Sequence, residues 1–297
     1  MKRIFLFLVT NIAVLVTLGI VANVLCMFLY GTPIEQALGP EWTALLAYAF
    51  VYGMLGSFIS LLMSKPIAKM SVGAQTIDGS EGEAERWLIA TVEDLARRAN
   101  VRMPEVAIYQ GAANAFATGA FRNSALVAVS TDIMRQMTKE ELRAVLGHEM
   151  SHVANGDMVT LTLVQGVLNA FVIVISRVLA SVLANAGQKD SERRSNGGLY
   201  FMLVIALQIA LGTLASLVVM WFSRRREYAA DAGSARLLGS PSSMIAALRR
   251  LGNLQPGTLP DSLKAMGIAS GKRTSIWATH PALEDRIAAL QNLSAGL

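Results

Sequence analysis

The sequence predicts a mainly α-helical membrane protein in which four apolar helices, two at the N-terminus and two in an inserted hairpin, accompany an α+β polar domain. Two observations carry that reading. Hydrophobic residues fill 53% of the 297 positions and charged residues only 16%, where a soluble globular domain carries about 25% charge. Mean hydropathy is +0.45, and the apolar residues gather in long runs separated by polar segments. The same composition excludes other classes. The net charge of +5 is modest; cations beside apolar runs are ordinary membrane-surface anchors, and no nucleic-acid signature accompanies them. Cys26 is the sole cysteine, so no internal disulfide can form. The 14 methionines read as apolar packing.

Residues 4–30 (IFLFLVTNIAVLVTLGIVANVLCMFLY) carry no charge and follow Lys2 and Arg3. The run exceeds the roughly 7–15 residues of a signal-peptide core, and no small-residue cleavage site follows, so it reads as an uncleaved anchor. Residues 42–63 (WTALLAYAFVYGMLGSFISLLM) form a second span, linked to the first by GTPIEQALGPE in a helical hairpin. Both runs reach the roughly 20 apolar residues that cross a hydrocarbon core. The third run, 158–184, is interrupted by Gln165 and Arg177, and residues 158–176 suffice to span if Arg177 snorkels to the interface. The fourth, 199–222, ends at Ser223 and the cluster Arg224, Arg225 and Arg226. A buried or re-entrant hairpin is the alternative for these last two; length and hydropathy favour crossing.

Lysine and arginine set the orientation. Lys2, Arg3, Lys65, Lys69 and the arginine cluster flank the spans on one side, while the loop 31–41 carries two glutamates and no cation. The loop 185–198, with Lys189, Arg193 and Arg194 partly offset by Asp190 and Glu192, opposes that assignment. The balance puts both termini and both polar regions in the cytoplasm.

The domain boundaries follow: a transmembrane hairpin at 1–63, a first polar part at 64–157, a second membrane hairpin at 158–222 and a second polar part at 223–297. In the first polar part, EGEAERWLIATVEDLARRAN (81–100) has helical spacing. EVAIYQ after Pro104, NAFATG (114–119) and SALVAVS (124–130) read as strands. The capping box Thr138-Lys-Glu-Glu141 starts a helix that runs to about Ala154, and Asn155-Gly156 ends it. The second part is mostly helical: Arg226 to Leu238 closed by Gly239, a helix from Ser240-Pro241 to Gly252, and ALEDRIAALQNL with Pro281 at its first position. GNLQPGTLPDS (252–262) reads as a flexible loop.

The helix from Thr138 carries VLGHEMSHVANGD (145–157), with two of the chain's three histidines. Residues four apart on a helix share a face, so His148 and His152 can bind one tetrahedral metal, with Glu149 beside them. Zinc lowers the pKa of a bound water to about 7, and a neighbouring carboxylate can take its proton. This is the pattern of a metalloprotease helix; its bland alternative is two histidines on a polar surface. A catalytic zinc also needs a third protein ligand. RRREYAAD (224–231) offers Glu227 as that ligand and Asp231 to orient a histidine, although both could instead pair with the neighbouring arginines. Two crossings between His152 and Glu227 return the chain to one compartment, as a shared metal requires.

HEMSHVANGD and REYAAD, separated by a membrane hairpin, resemble the HtpX group of integral-membrane zinc metalloproteases, related to the CAAX prenyl protease. KRIFLFLVTNIAV, ANAFATG, TKEELRAVLGHEMSH, SRRREYAADAG and THP extend the resemblance along nearly the whole chain. It implies a zincin-like endopeptidase of the bacterial inner membrane, facing the cytoplasm and engaged in quality control of misfolded membrane proteins. It implies one Zn2+ held by His148, His152 and Glu227, with Glu149 as general base. Asn114, Ala115, Phe116 and Ala117 read as an edge strand for backbone pairing with substrate, or as a core strand with one polar residue. His280 and Arg286 could stabilise the oxyanion; the alternatives are a helix-terminal residue and a solvated ion pair.

Rival readings meet specific obstacles. A protease cutting within the membrane would carry HExxH inside an apolar span, but TKEELRAV precedes it here. A prenyl-protein protease would need more spans to enclose a lipidated peptide. A zinc-stabilised membrane adaptor or holdase without proteolytic activity would use a closed site, commonly with cysteines, and would leave Glu149 without work. A transporter needs ionisable residues deep in its spans, and only Arg177 qualifies, near an end.

Overall fold

The computed structural model describes residues 2–38, 41–121, 123–185, 197–254, 268 and 280–294. The cationic loop expected around Lys189, Arg193 and Arg194 lies outside these residues, as does the loop 252–262 beyond Leu254. The chain divides into two compact units, Met1–Ile59 with Thr162–Val218, and Ser60–Leu161 with Val219–Leu297.

The first unit is helical. Helices α1 (Lys2–Tyr30), α2 (Ile34–Leu38) and the first part of α3 (Trp42–Val72) precede most of α7 (Asp157–Asn185) and the start of α8 (Gly197–Leu238). By length and composition α3, α7 and α8 can each cross a membrane, and Val16–Tyr30 adds a shorter apolar helix. Their outward faces are apolar: Phe28, Tyr52, Met202 and Ile209 are all exposed, as lipid-facing residues are. Inside, Leu18, Ala22, Ala49, Ala170 and Val174 pack together. Gly53 lets α3 approach α7 so closely that a Cβ there would meet the Ala170 nitrogen at 2.7 Å, the small-residue contact that membrane helices favour. The Arg177 guanidinium lies 5.1 Å from the Tyr48 ring centroid and donates to the Ile173 carbonyl, so an aromatic face and a backbone oxygen meet the charge locally.

The second unit is α+β. A sheet of order β1-β2-β4-β3 is formed by β1 (Gln75–Thr76), β2 (Glu105–Tyr109), β3 (Ala115–Thr118) and β4 (Leu126–Ser130). The β2–β4 pair is parallel, and the β1–β2 and β3–β4 pairs are antiparallel, so β3 is an edge strand. On one face α4 (Glu83–Arg98) and α6 (Lys139–Asn155) bury Leu88, Leu95, Val127, Val145 and Leu146. The other face packs Phe116, Tyr109 and Leu126 with Ala68. Helices α5 (Thr131–Gln136), α9 (Ser242–Asn253) and α10 (Leu283–Ser294) complete the unit.

Three boundaries differ from the sequence expectation, each for a local reason. The second apolar run does not stop at residue 63: α3 continues through Pro66 to Val72, because Ala68 packs on the sheet and Lys65 and Lys69 pair with Glu105. The fourth apolar run and the helix expected from Arg226 are one 42-residue helix, since no breaker separates them. The last helix begins at Leu283, and the Ala282 carbonyl accepts from the Arg286 amide, leaving Pro281 just outside.

Candidate metal centre

Helix α6 is pinned at both ends by local chemistry. Thr138 accepts from the Glu141 amide and Glu141 accepts from the Thr138 amide, the reciprocal capping the sequence predicts. At the other end Gly156 adopts φ 72°, a left-handed conformation that suits glycine. Between them, His148 and His152 stand one turn apart with their Nε2 atoms 3.1 Å from each other and their rings nearly perpendicular. Both are buried.

The third group arrives on α8, through a crossing made of small residues. Gly147 faces the Ser234 side chain, and Gly233 lies against Ser151, too close to admit a Cβ on either glycine without movement. Ser234 Oγ donates to the Ala144 carbonyl at 2.7 Å. This close approach brings Glu227 Oε2 to 3.4 Å from His148 Nε2 and Glu227 Oε1 to 3.3 Å from His152 Nε2. The donor atoms of His148, His152 and Glu227 all lie within 4.8 Å of one another. Two imidazoles and a carboxylate converging in a buried pocket fit a metal ion of borderline softness.

Each imidazole is held from behind by a carboxylate. His148 Nδ1 lies 2.9 Å from Asp231 Oδ1, and His152 Nδ1 lies 2.6 Å from Asp157 Oδ2. A ring that donates from Nδ1 presents the Nε2 lone pair toward the centre. Asp231 is in turn clamped by Arg286, whose Nε and Nη2 donate to its two oxygens at 2.8 and 2.7 Å. Arg286 is wholly buried and its Nη1 lies 3.5 Å from Glu227. His280 Nδ1 lies 2.9 Å from Glu227 Oε2. Glu227 and Asp231 therefore face histidines and Arg286.

The surroundings are rich in negative charge. Burial disfavours a proton on His152, but Asp157 and Glu227 outweigh it and raise its pKa to about 10. A pocket that holds a proton so tightly has the charge to hold a cation. Glu149 is buried, and neither of its oxygens has a hydrogen-bond partner of ordinary geometry among the described residues. Burial pushes its carboxyl up to about 7, with His148 and His152 pulling it back and Glu227 adding to the rise.

The other sequence-expected residues assemble in this region, and the substrate-strand set lies beside it on β3, where Ala117 lines one cleft with His152. Asn114 is buried and folds onto its own strand, its Oδ1 accepting from the Ala115 amide. Sequence reasoning missed two buried residues of the centre. Asp157 was legible only as an acid at the head of an apolar run. Arg226, buried with Nε and Nη1 unpartnered among the described residues, was hidden in the arginine cluster.

Comparison with known proteins gives the family. The model of Peptidase family M48 matches residues 83–294. Proteins named "Protease HtpX homolog" are similar over nearly the whole length. That of Verminephrobacter eiseniae is 54% identical over 294 residues, covering 98% of this chain and 99% of its own. That of Bordetella pertussis is 53% identical over 300 residues, covering all of both chains. The crystal structure of S. mikatae Ste24p shares the fold, with a TM-score of 0.60 at 19% identity, over 95% of this chain and 66% of that one. The family model takes in the histidine pair, Glu227 and helices α7 and α8, and the relatives extend the match to the N-terminal apolar helices. The chain belongs to peptidase family M48, as one of its membrane metalloproteases.

Proposed function

We propose that the chain is a zinc endopeptidase of the bacterial inner membrane. It hydrolyses peptide bonds of misfolded or damaged membrane proteins at the cytoplasmic face. The observation that carries this reading is the convergence of His148, His152 and Glu227 beside the buried Glu149. His148, His152 and Glu227 would hold one Zn2+. Bound there, zinc supplies a Lewis acid and a water of pKa about 7.

The remaining work belongs to the chain's own side chains. Glu149 takes the proton of the attacking water and passes it to the leaving amine. Asp231 and Asp157 fix the two rings, and Arg286 acts through Asp231 as a positioning residue. His280, supported by its place beside Glu227, takes the role of stabilising negative charge on the substrate carbonyl oxygen. The edge of β3 offers backbone pairing to an extended peptide, which gives affinity with little demand on sequence. That suits a protease of unfolded segments. The cytoplasmic orientation rests on the cations flanking the apolar runs.

The test is degradation of a loosely folded protein by the detergent-purified, zinc-loaded chain beside Glu149→Gln. Cleavage by the wild type alone, with equal zinc in both, supports the reading. Zinc in both and cleavage by neither turns it toward a zinc-stabilised adaptor or holdase.

A further inference from the structure

We infer that Arg177, backed by Tyr48 and Tyr52, binds the phosphate of an anionic phospholipid in the leaflet farther from Asp157. The inference rests on α3 and α7 crossing the bilayer and is independent of the peptidase chemistry. Arg177 is the one charged residue inside the four apolar runs. A cation at such a place is costly, and one without a counter-charge points to a ligand that brings it.

The contacts of Arg177 hold its side chain without neutralising it. Nη1 donates to the Ile173 carbonyl at 3.1 Å, one turn back on the same helix. The guanidinium carbon stands 5.1 Å from the Tyr48 ring centroid, and that ring packs on Tyr52 with centroids 4.3 Å apart. A carbonyl and a ring face offer only partial negative charge. Among the described residues no carboxylate pairs with Arg177, and its Nε and Nη2 have no hydrogen-bond partner.

The group opens outward. Tyr48 is 42% exposed and Tyr52 63%, and no hydrogen bond among the described residues uses either phenol hydroxyl. With Nη1 occupied and its charge held over a ring, the guanidinium keeps the Nε–Nη2 edge free. That edge is a planar fork, which matches two oxygens of one phosphate.

Depth supplies the source of the phosphate. At about 1.5 Å per residue, α7 rises about 30 Å from Asp157, its first residue, to Arg177, the thickness of a hydrocarbon core. Arg177 therefore reaches the far boundary, where tyrosines also gather. The same face of α3 carries exposed Val51 and Leu55, so acyl chains flank the site and the phosphate arrives on a lipid. A basic site between helices without a carboxylate favours a headgroup that has no ammonium of its own to compete for the phosphate.

The experiment titrates phosphatidylglycerol, phosphatidylcholine or inorganic phosphate into the full chain, freed of lipid by detergent exchange. Native mass spectrometry counts bound lipid, and the unfolding temperature is followed beside it. Phosphatidylglycerol is expected to bind at least about tenfold more tightly than phosphatidylcholine and to raise the unfolding temperature. Arg177→Gln should weaken phosphatidylglycerol about tenfold or more, the size of a hydrogen-bonded charge contact. Arg177→Lys keeps the charge without the fork and should recover only part. Tyr48→Leu should weaken binding about two- to fivefold, and decides the matter alone if neither Arg177 variant folds, wild-type affinity there counting against the site. Equal phosphatidylglycerol binding by the wild type and Arg177→Gln, equal binding of the two lipids, or no binding at all overturns the inference. Stabilisation by inorganic phosphate equal to that by the lipid at the same concentration also overturns it, because the site would then take a free anion.

Discussion

Gly233→Ala tests the crossing that builds the centre. A Cβ on Gly233 would lie 2.7 Å from Ser151 Cβ and closer still to its hydroxyl. Carbon atoms rest at about 3.5–4.0 Å, so α8 must withdraw from α6 by about 1 Å. Over-packing of this kind costs about 1–3 kcal/mol. Glu227 rides on α8 with its oxygens 3.3 and 3.4 Å from the histidine nitrogens, so the withdrawal is expected to open the donor set. If the strain is relieved by metal release, zinc affinity falls roughly 5- to 140-fold, at tenfold per 1.4 kcal/mol. Chelator competition on the purified full-length chain measures this, with circular dichroism to show that helix content is kept. Ser151→Gly removes the opposing Cβ and Oγ, so the double variant Gly233→Ala/Ser151→Gly should recover most of the affinity. The single Ser151→Gly should cost about 1 kcal/mol of helix stability while leaving affinity near that of the wild type. Zinc binding by Gly233→Ala within about twofold of the wild type, or no recovery in the double variant, would refute the reasoning.

Other outcomes follow from the same geometry. Asp157→Asn weakens the hold on His152 and should lower zinc affinity about 10- to 100-fold, read by the same chelator competition with the fold intact. Arg286→Gln leaves Asp231 buried without its cation, a loss of about 3–5 kcal/mol visible as a lower unfolding temperature; Arg286→Lys restores the charge without the fork and should recover only part. Glu105 answers to pH: burial opposes its ionisation, but Lys65, Lys69 and Thr76 hold its carboxyl down to about 2, from an ordinary 4.5. Its stabilising contribution is complete above pH 4.5 and is lost as the pH falls toward 2, so Glu105→Gln should flatten that part of an acid-unfolding curve.

Much of this protein was written locally and could be read locally. Four apolar runs announce themselves by length and by carrying almost no charge, Arg177 being the exception, because hydrocarbon accepts little else. The histidine pair was legible because 3.6 residues per turn puts positions 148 and 152 on one face whatever surrounds them, and the Thr138–Glu141 box fixes where that helix starts. The core strands were legible as short apolar runs between turn residues, whereas β1, only two residues long, carries too short a pattern to detect.

What the sequence left open were relations between segments distant along the chain. Spacing alone gave Glu227 and Asp231 two equal readings, arginine pairing or metal site. The resemblance favoured the second, and the packing of Gly147 and Ser151 against Ser234 and Gly233 brings them to the histidines. No local pattern could link Arg286 to Asp231, 55 residues apart, or reveal that Asp157 turns back onto His152. Local propensity and hydrophobicity act over a few residues and therefore show in the sequence. Side-chain partners are chosen by which surfaces pack, a choice shared among helices far apart along the chain, and the fold makes it.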